Sequence, residues 1–283
     1  MVSKPAFSFE FFPAKTEQGG EKLLSTYDAL NQLSPSYFSV TYGAGGSTRE
    51  RTLGIVKALI ERGDTEVAPH MSCIGDDKVE IAGLLDHYKA LGIKRLVALR
   101  GDLPSGQVGM GELPFALDLV KFIREHSGDH FRIEVAAYPE MHPQARSFEF
   151  DVDNLVNKYQ AGANASITQF FYNADSYLYL RDTLHKRGID TVAQPLVAGI
   201  MPITNSRNLL RFADSCGADI PRYIRKQLMD FGDDRTAIRE FGFDVVYRLC
   251  ERLIAEGVPA MHFYSMNKVE PNKRLVEALG LTD

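Results

Sequence analysis

Cysteine is scarce in this chain. Cys73, Cys216 and Cys250 are the three present in 283 residues; they are far apart, odd in number and form no CxxC pair. That excludes a disulfide framework and a thiolate zinc site, and it fits a reducing cytosol. No run approaches the ~20 apolar residues a membrane span needs. The start, MVSKPAFSFEFF, lacks the charged, apolar and small-residue regions of a secretory leader. Positive charge is not in excess. Lys and Arg total 32 against 37 Asp and Glu, giving a net charge of −5 and a pI near 5.8. A general attraction to nucleic acid or anionic membrane is therefore absent. The seven histidines form no HExxH or His-x-His pairing, so no metal site is expected. A Walker loop, a GxGxxG fingerprint, a Ser-His-Asp elbow and a reactive-cysteine context are missing as well. Lysines fall only at the margins of the apolar runs, which weakens a Schiff-base lyase or aldolase.

What is present is an ordinary globular composition, 45% hydrophobic and 24% charged. Eight short apolar, β-branched or aromatic runs stand out, at 6–13, 37–43, 66–73, 95–102, 133–140, 165–172, 195–202 and 260–267. Most are apolar on both faces, as strands buried between two layers are. Helical spacing lies between them. Ile81, Leu84, Leu85, Tyr88 and Leu91 form one stripe, with Asp76 or Asp77 as cap and Gly92 as stop. Ile238, Phe241, Val245, Leu249 and Leu253 form another, ended by Gly257. Five joints read helix, glycine, strand, at Gly63, Gly92, Gly162, Gly188 and Gly257, where glycine can accept a left-handed conformation. Strands alternating with helices imply parallel pairing through right-handed crossovers. Eight units over this length predict an α/β chain folded as a closed (β/α)8 barrel, in one domain spanning 1–283. An extra helical insertion is expected before the last strand, around CGADIPRYIRKQLMD. The rival is an open doubly wound sheet, disfavoured because no glycine fingerprint follows the first strand.

Barrel active sites lie at the carboxyl ends of the strands. Those ends carry Glu10, Thr41–Tyr42, His70, Arg100–Asp102, Tyr138, Glu140, His142, Gln169 and Tyr264–Asn267, whereas strand starts and middles read as mostly aliphatic. Glu10 sits in SFEFFP. Alternation puts Ser8, Glu10 and Phe12 on one face and three phenylalanines on the other. Either Glu10 is an exposed strand carboxylate, or apolar surroundings keep it protonated as a general acid. VTYGAGGST (40–48) offers glycines for close approach to a ligand and Ser47 or Thr48 as a helix cap; a plain turn is an equal reading. Arg100 and Asp102 place opposite charges around Gly101, for a phosphate or a ring, or as a local ion pair. Asp151, Asn154 and Lys158 share one face of a helix start, turned to ribose and phosphates or simply to solvent. Gln169 is a neutral amide able to pair with a heterocycle.

The stretches SFEFFPAKT, VTYGAGGSTRERT, PHMSCI, LVALRGDLP, AAYPEMHPQA, KYQAGANASITQFFYN, GIMPITN and HFYSMNK occur in this order. Together they strongly resemble the methylenetetrahydrofolate reductase family, from Ser8 to Leu279. The resemblance implies a (β/α)8 TIM barrel holding FAD non-covalently. It also implies ping-pong transfer of hydride from NADH or NADPH to the folate substrate, supplying methyl groups for methionine synthesis. Glu10 resembles the family's general acid, and Asp102 the carboxylate beside flavin and pterin. Thr41, Tyr42, Ala44, His70, Arg100, Gly101, Asp102, Tyr138, His142, Ala145, Asp151, Asn154 and Lys158 fall where the family contacts FAD. Gln169, Asn208, Phe212 and Lys268, with Asp102, fall where it contacts folate or nicotinamide. Asn157 and Lys268 stand where some bacterial relatives carry arginine, and Asn208 where some carry glutamine. The resemblance further implies a cytoplasmic homo-oligomer, dimer or tetramer, without the C-terminal regulatory domain of eukaryotic relatives. The alternative is a related barrel reductase without flavin, or a folate-binding subunit fed by a separate electron donor.

Overall fold

The computed structural model describes residues 4–42, 46–102 and 111–282. All eight expected strands form: β1 (Ala6–Phe11), β2 (Tyr37–Val40), β3 (Glu66–Ser72), β4 (Arg95–Leu99), β5 (Arg132–Ala137), β6 (Ala165–Thr168), β7 (Leu196–Ile200) and β8 (Ala260–Tyr264). They close into a barrel in sequence order, and the open-sheet rival is set aside. The helices are α1 (Glu17–Asn31), α2 (Gly46–Arg62), α3 (Lys78–Ala90), α4 (Ala116–Ser127), α5 (Phe148–Gln160), α6 (Ala174–Lys186), α7 (Ser206–Cys216), α8 (Arg222–Asp230), α9 (Arg235–Ala255) and α10 (Asn272–Ala278). The expected insertion is α8, lying between α7 and α9. Two compact contact units are distinguished. One comprises Ser8–Ala136 with Asn157–Ser166; the other comprises Met1–Phe7, Ala137–Val156 and Ile167–Asp283.

In the unit built on Ser8–Ala136, the phenylalanine run explains itself. Phe9 and Phe11 both stack on Phe38 of β2, at 5.9 and 5.3 Å, and Phe38 meets Tyr27 of α1 at 4.7 Å. All four rings are essentially fully buried. Burying one such phenylalanine contributes roughly 1.5–3 kcal/mol. Because side chains alternate along a strand, the same registration sends Ser8 and Glu10 to the opposite face. Parallel pairing then sets Glu10 beside Ser39, and His70 beside Val97. Helix α3 begins with a reciprocal cap: Glu80 N–H donates to Asp77 Oδ1 at 2.8 Å, and Asp77 N–H donates to Glu80 Oε2 at 3.2 Å.

Three sequence expectations are corrected. Helix α2 already begins at Gly46, so Ser47 and Thr48 lie within its first turn rather than before it. Four of the five joint glycines have positive φ, but Gly63 does not. Space decides there, since a Cβ would lie 2.6 Å from the Tyr27 hydroxyl. The strand starts, finally, are not uniformly aliphatic. Arg95, first residue of β4, donates to Glu134 Oε1 at 2.6 Å and to Glu66 Oε2 at 2.8 Å. Tyr37, first residue of β2, donates to Glu134 Oε2 at 2.6 Å, and the Arg95 guanidinium lies 4.3 Å over its ring. This ion-pair cluster fastens the amino-terminal parts of β2, β3, β4 and β5. Burial, then the adjacent Glu134 charge, pushes the Tyr37 phenol well above its ordinary pKa.

In the other unit, β7 and β8 pair in parallel, with Gly199 opposite His262. Gly199 has no room for a side chain: a Cβ would lie 2.0 Å from Thr168 O. Helix α9 is capped by Asp234, whose Oδ1 accepts from Thr236 and Ala237 N–H.

Candidate active site

Strand ends position the candidates of the first unit. Glu10 is the next-to-last residue of β1, with its side chain 18% exposed. Its Oε2 lies 3.2 Å from Nε2 of His70, whose side chain is 8% exposed. The approach is close without hydrogen-bond alignment, because Nε2 of His70 is buried and makes no hydrogen bond. A carboxyl against an imidazole can keep or release a proton with little movement of either group. The reading of Glu10 as a fully solvated strand carboxylate is set aside.

Thr41 N–H donates to Phe11 O at 2.8 Å, and Thr41 O accepts from Thr52 Oγ1 at 3.0 Å. The half-buried Tyr42 accepts at its hydroxyl from Arg49 Nε at 3.0 Å, and burial pushes its phenol up. Arg100 donates from Nε to Gly101 O at 3.2 Å, while its own carbonyl accepts from Ser72 Oγ and Ile74 N–H. Gly101 has φ +85°, and a Cβ there would meet Ser72 Oγ at 1.9 Å, so no other residue fits without movement. Asp102 is exposed. Lys158 Nζ donates to Ala136 O at 2.7 Å, which draws its charge to the end of β5. Ala44 lies outside the described residues.

The second unit contributes its own strand ends. The Tyr138 ring meets His142 edge-on at 4.6 Å. His142 Nδ1 accepts from Gln144 N–H at 3.0 Å, which in a neutral ring leaves the proton on Nε2. Asp151 Oδ2 accepts from His142 N–H at 2.8 Å, and Ala145 N–H donates to His142 O. Asp151 therefore orders this loop rather than facing solvent alone. Asn154 is half-buried on the same helix. Gln169 N–H donates to Ala137 O at 2.8 Å, and its Oε1 accepts from Phe170 N–H at 3.0 Å. Tyr138, Glu140, Gln169 and Cys216 line a small cleft. Glu140 is structural: it accepts from Asp219 N–H at 2.7 Å and Ser176 Oγ at 3.4 Å, and burial raises its pKa. Asn208 sits exposed in the first turn of α7, and Phe212, one turn on, lies 5.6 Å below the Arg211 guanidinium. Lys268 Nζ reaches Thr204 Oγ1 at 3.4 Å.

A sequence profile of the family described as methylenetetrahydrofolate reductase matches residues 2–280. The chain belongs to the methylenetetrahydrofolate reductase family. The 5,10-methylenetetrahydrofolate reductase of Escherichia coli K12 is 39% identical over 274 residues, 97% of this chain and 90% of that one. Methylenetetrahydrofolate reductase (NADH) 1 of Arabidopsis thaliana is 36% identical across 98% of this chain, which spans 49% of the plant protein. The fold recurs in an uncharacterized Clostridium thermocellum protein that binds two copies of 5-methyl-5,6,7,8-tetrahydrofolic acid, with a TM-score of 0.64 at 16% identity over 99% and 94% of the two chains. As a member of this family the chain is an oxidoreductase. Among the described residues no helix is long and apolar enough to cross a membrane.

Sequence reasoning missed the residues that stand behind the family's strand-end set. Arg49 and Thr52 both reach back to β2, and Asn272 holds the loop before α10 by donating to Ser265 O and Lys268 O. The i, i+3 spacing of Arg49 and Thr52 was the available signal. Asn272 stands between Pro271 and Lys273, and no pattern in the sequence marked it.

Proposed function

We propose that this chain reduces 5,10-methylenetetrahydrofolate to 5-methyltetrahydrofolate with electrons from NADH or NADPH, and that FAD is held non-covalently at the carboxyl ends of its strands. The donor set suits such a group. Arg100 and Lys158 provide positive charge for a diphosphate, Tyr42 provides a ring edge, and the buried Nε2 of His70 lacks a hydrogen bond. When bound, FAD supplies hydride transfer between nicotinamide and the one-carbon unit.

The protein's own residues bind, orient and move a proton. Glu10 holds a proton on its carboxyl and gives it to the substrate's bridging nitrogen, opening the five-membered ring so that the one-carbon unit becomes electrophilic. Its half-buried position beside His70 is the observation that carries this assignment. Asp102 disfavours added negative charge beside the cofactor and accepts a hydrogen bond from the pterin. The Gln169 amide pairs with folate and nicotinamide in turn, and the Phe212 ring stacks on either. Asn208 and Lys268 meet the polar ends of these ligands. With nicotinamide and folate using the same residues in turn, the reaction would be ping-pong.

An anaerobic two-step titration tests the proposal, read at flavin absorbance at about 450 nm. NADH or NADPH bleaches the protein first, and methylenetetrahydrofolate then restores the colour. A colourless protein would overturn the flavin reading. A yellow protein bleached by neither nicotinamide would point to a separate electron-donor subunit.

A further inference from the structure

The first turns of α2 contain an arginine that no part of the proposed chemistry uses. Arg49 is half-buried and divides its guanidinium between two loops. Nε donates to the Tyr42 hydroxyl at 3.0 Å, at the exit of β2. Nη2 meets Asp76 Oδ2 at 2.7 Å, in the connection from β3 to α3. Three residues on, Thr52 is fully buried and donates to Thr41 O. One helix face therefore grips the two consecutive residues that follow β2, Tyr42 by its side chain and Thr41 by its carbonyl.

Asp76 is itself braced. Gly111 packs so tightly that a Cβ would lie 3.0 Å from Asp76 O, and Glu112 Oε2 accepts from Lys78 N–H at 2.8 Å. Burial is the main cause raising the Asp76 pKa, opposed by the Arg49 charge. The carboxylate thus depends on its guanidinium partner. Tyr88 of α3 adds a buried hydroxyl without a hydrogen-bond partner, whose environment includes Tyr42 and Arg49. A lysine could not replace this arginine. Its single ammonium lacks the planar fork that meets a phenol and a carboxylate in two fixed directions.

We propose that Arg49 is a positioning residue that fixes the Tyr42 ring for cofactor contact, with Asp76 as its brace. This inference rests on the reading of Tyr42 as an FAD contact. It assigns specificity to Tyr42's hydroxyl rather than its ring alone: the phenol is the handle by which α2 sets the ring's angle.

The test is FAD affinity in a double-mutant cycle. Flavin-stripped wild type, Arg49→Gln, Arg49→Lys, Tyr42→Phe and the Arg49→Gln/Tyr42→Phe double variant are titrated with FAD by fluorescence quenching. Visible spectra and thermal midpoints are recorded alongside. Each single variant is expected to raise the FAD Kd about tenfold, the size of one lost hydrogen bond to a charged donor, with Arg49→Lys no better than Arg49→Gln. The double variant is expected to be no weaker than either single, and the flavin spectrum to shift in all of them. A thermal midpoint that falls while Kd and spectrum stay unchanged in Arg49→Gln overturns the proposal and leaves a purely structural arginine. Losses that multiply in the double variant also overturn it, since Arg49 would then act elsewhere. If Tyr42→Ala leaves the FAD Kd unchanged, the cofactor reading of Tyr42 has failed, and the clamp fails with it. Should Arg49→Gln not fold, Asp76→Asn carries the same cycle, because it removes the brace while leaving both other partners in place.

Discussion

At the scale of single residues, the site is made by positions where the neighbours permit one choice. Glu10 shares its strand with phenylalanines that must face the helices, so it is delivered to the opposite face without any interaction of its own having to pull it there. Glu10→Gln keeps the shape and removes the transferable proton. Single-turnover folate reduction by that variant is expected to slow by roughly 10²–10⁴-fold, the usual range for general acid catalysis. Bleaching by the nicotinamide should continue, and an unaltered folate step would remove Glu10 from the acid role. Gly101→Ala tests a different constraint. The added methyl group would occupy the place of Ser72 Oγ in a backbone region that non-glycine residues avoid. A cost of about 1–3 kcal/mol is expected, read as a lower urea midpoint.

At the scale of elements, the strands were legible because each is a short run buried on both sides, and a buried parallel strand has nothing else to encode. Helices α3 and α9 were legible for a different reason: their apolar stripes are local in sequence, and so is the Asp77 cap of α3. The partners of those elements were not. Asp76 looked like a cap candidate from its neighbours, yet its charge goes to Arg49, 27 residues earlier. Glu134 sits in an apolar run and reads as an interruption until Tyr37 and Arg95 are seen around it. Pairings across such separations leave no periodic trace. The strand-end residues of the site were recognisable as polar endings, and their roles came from the combined motifs rather than from spacing. Cys73 shows the consequence for chemistry. It follows β3 among the carbonyls of Leu99, Arg100 and Phe115, and burial pushes its thiol up to about 12. The folded chain keeps that thiol neutral, whereas the unfolded chain ionises near 9, so stability is full below about pH 8 and declines as pH rises beyond it. Urea midpoints across about pH 7 to 10 should fall, and Cys73→Ala should flatten the decline by one proton's worth. An identical slope in that variant would show that the thiol is not linked to folding.

At the scale of the whole molecule, charge is spent differently along the strands. Toward the amino ends, Arg95, Glu134, Glu66 and Tyr37 satisfy one another and leave nothing for a ligand. Removing one member strands the rest. Glu134→Ala leaves the Arg95 guanidinium without its shorter carboxylate contact and the Tyr37 hydroxyl without its acceptor. A loss of about 3–5 kcal/mol is expected, measured by chemical unfolding. FAD affinity per folded molecule should stay unchanged, since none of the four touches the proposed ligands.

That inward-satisfied cluster has a further meaning for how the chain can change over time. A scaffold whose structural charges are knotted together away from its reactive loops lets those loops vary without renegotiating the foundation. On the proposed function, ligand contacts such as Tyr42 and Asp102, on the connections after β2 and β4, can change while β2 to β5 keep their fastening. An engineer testing that function should therefore vary those connections first and leave Glu134 in place.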